Sequence, residues 1–195
     1  MNIKNICVYC GSSPGLNPAY ARAATILGKT LAERDIGLVY GGAAVGIMGV
    51  VADAVLANGG KAIGVIPKAL AVKEVAHEGL NELHVVESMH ERKAMMADLS
   101  DGFIALPGGW GTLEEIFEIL TWAQLGFHRK PCGLLNVEGY YDDLIRFLEN
   151  AFTQQFVNDL YRPILITADE PAKILDQFAV YEAPEVRKWM GESEL

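Results

Sequence analysis

The segment Pro107-Gly108-Gly109-Trp110-Gly111-Thr112-Leu113-Glu114-Glu115 joins a glycine turn to a pair of carboxylates. Gly108 and Gly109 permit positive φ and close approach of backbone to a ligand. Thr112 is placed to cap a following helix. Glu115, three residues on, completes the spacing of a capping box. Unpaired N–H groups and the dipole at such a helix start favour a phosphate. An ordinary capped turn would use the same residues, so the segment needs partners to make a site.

Arg92 is the first partner. Met89, Arg92, Met96 and Leu99 fall on one helical face, and the other three are apolar. That face should pack on a sheet, where an arginine needs an anion to offset its desolvation. The anion is a ligand or a carboxylate, unless the guanidinium snorkels out at the helix edge. Lys93, one step round, is expected to reach solvent or phosphate. Glu115 shares a face with Ile119 and Trp122, whereas Glu114 aligns with Glu118 and Thr121. A carboxylate in the first turn of a helix is expected to stay ionised with help from the dipole. Ionised in a partly dry site, it is suited to stabilising a cation or orienting water.

Other spacings carry less. The loop from Gly41 to Gly49 has a strand–loop–helix setting but is not GxGxxG. The third strand ends Val65-Ile66-Pro67-Lys68, without the acid that would bind a ribose, which disfavours a dinucleotide. Gly28-Lys29-Thr30 resembles the end of a phosphate loop, but it lies in a helix and Ala23 replaces the first glycine. Cys7 and Cys10 have CxxC spacing, yet on a strand they point to opposite faces. With Cys132 they read as buried thiols. His77, His84, His90 and His128 match no metal-ligand spacing, and no GxSxG elbow offers a nucleophile. Neither metal nor cofactor is expected.

These residues need a scaffold, and the apolar pattern supplies one. Runs at Ile3–Tyr9, Gly37–Tyr40, Ala62–Ile66, Leu83–Val86, Gly102–Leu106, Pro131–Leu135 and Ile164–Thr167 read as strands. Several are continuously apolar, as parallel strands covered on both faces are. Helices are expected near 18–34, 46–58, 89–100, 112–126, 141–155 and 170–179, with 68–80 ambiguous. The rhythm gives one doubly wound α/β domain with a parallel sheet of about seven strands. It spans residues 1–183, followed by a polar acidic tail at 184–195. In such folds ligands bind beyond the carboxyl ends of the strands, which is where both glycine loops and the start of the Arg92 helix fall.

The 195 residues are 51% hydrophobic and 21% charged, with a formal net charge of −9. One domain of this size buries a substantial core. The charge repels polyanions, so no nucleic-acid partner is expected, while a small anion can be held by a few amides and one arginine. No apolar run approaches the roughly 18 residues of a membrane span. The opening Met1–Asn5 leads into a strand with no signal-peptide core, so a cytoplasmic location is expected.

The sequence resembles the LOG ("Lonely guy") family, the cytokinin riboside 5′-monophosphate phosphoribohydrolases. Residues 107–115 match its PGGxGTxxE signature, with Trp110 in the variable position. Met89-His90-Glu91-Arg92-Lys93 resembles its MHxRK segment. Cys10-Gly11-Ser12-Ser13, Tyr40-Gly41-Gly42, Gly46-Ile47-Met48-Gly49 and Thr121–Gly126 also match. The resemblance implies a modified Rossmann fold, a homodimer, and hydrolysis of AMP or an N6-modified AMP to free base and ribose 5-phosphate. It implies no metal or redox cofactor. It assigns Arg92 and Glu115 as the catalytic pair, and Gly108, Gly109, Gly111 and Thr112 to the phosphate. Glu87, Lys93, Glu114, Thr121, Ser12 and Gly42 are further expected substrate contacts.

A rival reading is a nucleotide-binding module without catalysis, which would not need Arg92 and Glu115 to face the site. A decarboxylase, a label often attached to this family, would need a lysine to carry pyridoxal phosphate. No lysine stands in a recognisable setting for that. Finally, the helix at 112–126 is apolar around most of its circumference. Trp122 and Ile119 lie on a different side from Leu113, Phe117 and Leu120. The sheet covers one side, so a second subunit is expected on the other, close to Glu115.

Overall fold

The computed structural model describes residues 3–71 and 76–185. Its seven strands are β1 (Asn5–Tyr9), β2 (Gly37–Tyr40), β3 (Ala62–Pro67), β4 (Glu82–Val86), β5 (Gly102–Ala105), β6 (Cys132–Leu135) and β7 (Leu165–Ala168). They form one sheet in the order β4-β3-β2-β1-β5-β6-β7. Every neighbouring pair is parallel. The continuous apolar runs β2, β3, β5 and β6 are buried along their whole length. The edge strands β4 and β7 are only partly covered.

The helices are α1 (Pro18–Glu33), α2 (Gly46–Ala57), α3 (Lys68–Ala71), α4 (Met89–Asp98), α5 (Trp110–Leu125), α6 (Asp142–Thr153) and α7 (Pro171–Ala179). Their starts and stops have local causes. Asn17 caps α1 by accepting from the Ala19 N–H, with Pro18 in the first turn. Gly126, at φ +82°, ends α5 in the left-handed conformation. Gly28 is a packing residue: a Cβ there would stand 2.7 Å from both the Ala54 Cβ and the Val51 carbonyl of α2. Its phosphate-loop likeness has no structural counterpart.

Two hydrophobic layers sandwich the sheet. One takes Ile6, Val8, Leu38 and Ile104 against α1, α2 and α7. The other takes Val39, Val65 and Phe103 against Met96 of α4 and Ile116 and Ile119 of α5. Each such side chain, fully buried, is worth roughly 1.5–3 kcal/mol. Strand alternation sends Cys7 to one layer and Cys10 to the other, both as free buried thiols.

The ambiguous 68–80 stretch opens with the single turn α3. Residues 72–75 lie outside the described residues. Ala76 then bridges Ala43, and the His77 N–H donates to the Gly42 carbonyl, fastening the loop after β2. The expected tail lies, from residue 186 on, outside the described residues. No described helix is long and apolar enough to cross a membrane.

The chain runs outward from β1 to β4, then restarts beside β1 with β5. The order reverses there, so the loops leaving β1 and β5 part at their carboxyl ends and open a crevice.

Candidate active site

Three loops are stitched together at that crevice. The Gly11 N–H donates to the Pro107 carbonyl at 3.2 Å, and the Ile47 N–H donates to the Gly11 carbonyl at 3.0 Å. Gly46 has φ +60° and lies so close to the first loop that a Cβ would stand 2.3 Å from the Ser12 carbonyl carbon. Only glycine fits there. Two consecutive tyrosines hold the third loop from the far side. The Tyr141 hydroxyl donates to the Leu106 carbonyl at 2.7 Å, and that of Tyr140 donates to the Gly108 carbonyl at 2.5 Å.

Helix α5 begins earlier than its sequence suggests. Gly109 is its cap and Trp110 its first residue. Thr112 is therefore not the cap but the third helical residue, buried, and no capping box forms with Glu115. A Cβ on Gly108 would stand 2.1 Å from the Thr112 Oγ1, so glycine lets the threonine fold back onto the loop. The first N–H to bond back is that of Leu113, to the Gly109 carbonyl at 3.1 Å. The amides of Trp110, Gly111 and Thr112 precede it, and a glycine cap offers them no side-chain acceptor. The cap of α4 comes closer to a box, with the return bond made one residue before the cap. Ser88 accepts from the Glu91 N–H at 3.1 Å, and Glu91 accepts from the Glu87 N–H at 2.9 Å.

Arg92 and Glu115 meet at the floor, each 8% exposed. Arg92 Nη2 lies 3.7 Å from Glu115 Oε1, an ion pair beyond hydrogen-bond length. Arg92 Nη1 reaches only the Met89 sulfur, at 3.8 Å, and Nε is buried without a partner. The expected anion is thus a carboxylate on the neighbouring helix, and the guanidinium keeps donors to spare. Glu115 lies in the second turn of α5, past the helix start. Burial pushes its carboxyl up to about 7, against the pull of Arg92. The expectation of a carboxylate held ionised by the dipole is corrected on both counts.

Lys93 does not reach solvent. It is buried and donates to Glu114 at 2.6 Å and to Glu118 at 2.9 Å, tying α4 to α5. Burial alone would lower its pKa, but the two bonds outweigh that and hold it above the usual value.

A cavity of about 350 Å³ is lined by Ser12, Gly109, Gly111, Thr112, Glu114, Arg92 and Glu115, with Met48, Met89 and Trp110. A second, of about 270 Å³, adjoins it along Gly11, Ser12 and Gly109, and includes Gly108 and Tyr140. The first alone is within the range of small-molecule sites. Besides Lys93, three expected contacts are elsewhere. Glu87 is exposed, its N–H on Glu91. Gly42, at φ +78°, faces β3 and β4, where a Cβ would meet Ile66 and Leu83. Thr121 donates to the Phe117 carbonyl and lines a separate apolar groove.

A family model described as "possible lysine decarboxylase" matches residues 48–178. Cytokinin riboside 5′-monophosphate phosphoribohydrolase LOG7 of Arabidopsis thaliana is 51% identical over 179 residues, which are 92% of this chain and 82% of the relative. The phosphoribohydrolase of the same description named LOG, from Oryza sativa subsp. japonica, is 50% identical over 91% of this chain and 74% of its own. The chain belongs to the LOG family. The family's fold extends to more distant structures. A molybdenum cofactor binding protein of Rippkaea orientalis aligns with a TM-score of 0.68 at 22% identity, covering 92% of this chain and 97% of that one. A Moco carrier protein of Chlamydomonas reinhardtii gives 0.68 at 20%, covering 91% and 98%. These share the LOG fold alone.

Some residues of this LOG-family site drew no role from the sequence. Tyr140 reaches the loop from 32 residues away. Gly41, inside a quoted motif, underlies the Arg92 guanidinium, where a Cβ would stand 2.2 Å from Nη2.

Proposed function

We propose that this LOG-family chain hydrolyses the N-glycosidic bond of purine nucleoside 5′-monophosphates, AMP or N6-modified cytokinin relatives, releasing the base and ribose 5-phosphate. The observation that carries the reading is the under-bonded Arg92–Glu115 pair facing the cavity that opens at the start of α5. A binding module has no need of a buried carboxylate and guanidinium with unmet hydrogen-bonding capacity.

The phosphate lies against the amides of Gly111 and Thr112, where the dipole favours it. The ribose then stands over Glu115. As the C1′–N bond breaks, its electron pair leaves with the base and the ribosyl ring becomes cationic. The Glu115 carboxylate stabilises that cation and orients a water. The water oxygen bonds to C1′ as its proton passes to Glu115, and the departing base takes a proton from solvent, to which Glu115 then returns the one it gained. With a pKa of about 7, Glu115 is matched to that transfer near neutrality. Arg92 pulls the Glu115 pKa down against the effect of burial and offers its spare donors to the substrate. A guanidinium binds its proton too tightly to serve as the acid.

The decarboxylase description finds no support at the site. Among the described residues no lysine lines either cavity. Lys93, the nearest on α4, is committed to Glu114 and Glu118.

Incubation with AMP, followed by chromatography, should yield free adenine and ribose 5-phosphate. Adenosine should react at least about tenfold more slowly, because it gives the helix start nothing to hold. Nucleotide binding without adenine release would leave only the binding module. Equal rates on AMP and adenosine would reduce the glycine loop to a turn.

A homodimer is part of the same proposal. Helix α6 has no fully buried residue, and Phe147 on it is exposed. Between α5 and α6 an apolar groove is lined by Phe117, Leu120, Leu148 and Phe152. Trp122, by contrast, packs half-buried on the sheet-side core, so a charge there would damage the subunit itself. Phe147→Glu is the cleaner probe. Light scattering should show a dimer for the parent chain and a larger monomer fraction for the variant. A monomeric parent chain at micromolar concentration would end the proposal.

A further inference from the structure

We infer that Met89 and Trp110 form the two walls of a subsite for the base of the nucleotide, an inference that rests on the functional reading above. Helices α4 and α5 each follow a strand of the parallel sheet and lead into the next. They therefore run in the same direction, side by side, tied by Lys93 and Glu114 at 2.6 Å. Four residues toward the N-terminus on each helix, one turn up the same face, stand Met89 and Trp110. Each is the first residue of its helix, so the two side chains flank the mouth between the helix starts.

Both line the cavity that contains Arg92 and Glu115. Trp110 is 90% exposed and Met89 42%, and among the described residues the indole stacks on no other ring. The Met89 sulfur lies 3.8 Å from Arg92 Nη1, beside the reacting pair. Chemistry sorts the rest of the cavity. The phosphate belongs to the amides after Gly109 and C1′ to the Glu115 carboxylate, both polar. The base is the one flat, weakly polar part of the substrate. Trp110 and Met89, together with Met48, are the apolar part of the lining. An indole face and a thioether are the surfaces on which a purine gains stacking and dispersion without a fixed hydrogen-bond code.

The test is equilibrium binding in a Glu115→Gln background, which blocks turnover, with AMP and ribose 5-phosphate as paired ligands. Replacing Trp110 by Ala should weaken AMP about tenfold or more, within the range of one lost aromatic stack. It should leave ribose 5-phosphate within about twofold, and Trp110→Tyr should restore most of the AMP affinity. Met89→Ala should show the same selectivity, more weakly. Unchanged AMP affinity, or an equal loss for both ligands, would overturn the subsite. So would a change in light-scattering mass with Trp110→Ala, which would give the indole to a subunit interface. Failure of the parent chain to release adenine from AMP would instead sink the hydrolase reading, because the binding comparison does not depend on turnover.

Discussion

Glu115→Gln is expected to lower AMP turnover by a factor of about 100 or more while nucleotide still binds, and to make the protein more resistant to urea at pH 8. The loss follows from removing the charge that meets the ribosyl cation and the base that takes the water's proton. The gain follows from the same burial. The carboxyl's pKa in the fold is about 7, above its ordinary 4.5. Between those values the native chain holds a proton that the unfolded chain has lost. Glu115 therefore favours the fold fully below about pH 4.5, and that contribution is lost as pH rises through about 7. The whole shift corresponds to about 3 kcal/mol. Glutamine mimics the protonated acid at every pH. The stability difference in its favour should thus grow by up to about 3 kcal/mol between pH 4.5 and pH 8, read by urea unfolding at both. In the parent enzyme kcat/KM should rise as Glu115 ionises near pH 7. Near-normal turnover in the variant would remove Glu115 from the mechanism. A stability difference that does not change with pH would show that the group is not desolvated.

This pairing explains what the sequence disclosed and what it hid. The fold was legible because continuous apolar runs and helical periodicity are local signals. The boundaries read from them differ from the observed ones by at most two residues at either end of every strand and every α-helix longer than one turn. The Arg92 conflict was legible for the same reason, since a charge on an otherwise apolar helical face demands a partner. The start of α5 was misread because S/T-x-x-E spacing does not by itself mark a helix start; it is shared by Ser88–Glu91 and Thr112–Glu115, among other pairs. Of these two, only Ser88 caps its helix. At the second, Gly109 reaches the cap conformation itself, and the threonine turns inward. Lys93 was misread because its two acids come from the next helix, 21 and 25 residues on, which no spacing on α4 reports.

Gly41→Ala should reduce kcat/KM on the order of 100-fold without unfolding the protein. Its added Cβ would fall 2.2 Å from Arg92 Nη2, 3.4 Å from Cζ and 3.0 Å from the Met48 sulfur. All three belong to the ends of flexible side chains, and the Gly41 backbone is not in the left-handed region. The chain can therefore accept alanine by moving the guanidinium rather than the backbone, with a stability change within about 1 kcal/mol. At Gly46 the corresponding atom would strike the Ser12 backbone, so Gly46→Ala should instead compromise folding and serves as the contrast. Displacing Arg92 has two consequences. The spare donors leave the substrate, and misplacement of about 1 Å is enough for a loss of this size. The opposing charge also withdraws from Glu115, which then keeps its proton to higher pH. The ascending limb of the pH profile should move up from its position near 7, which general loosening of the fold would not produce. Parent-like kcat/KM with an unmoved pH profile would show that the guanidinium has another place to lie, and that the close approach of Gly41 to Arg92 is packing alone.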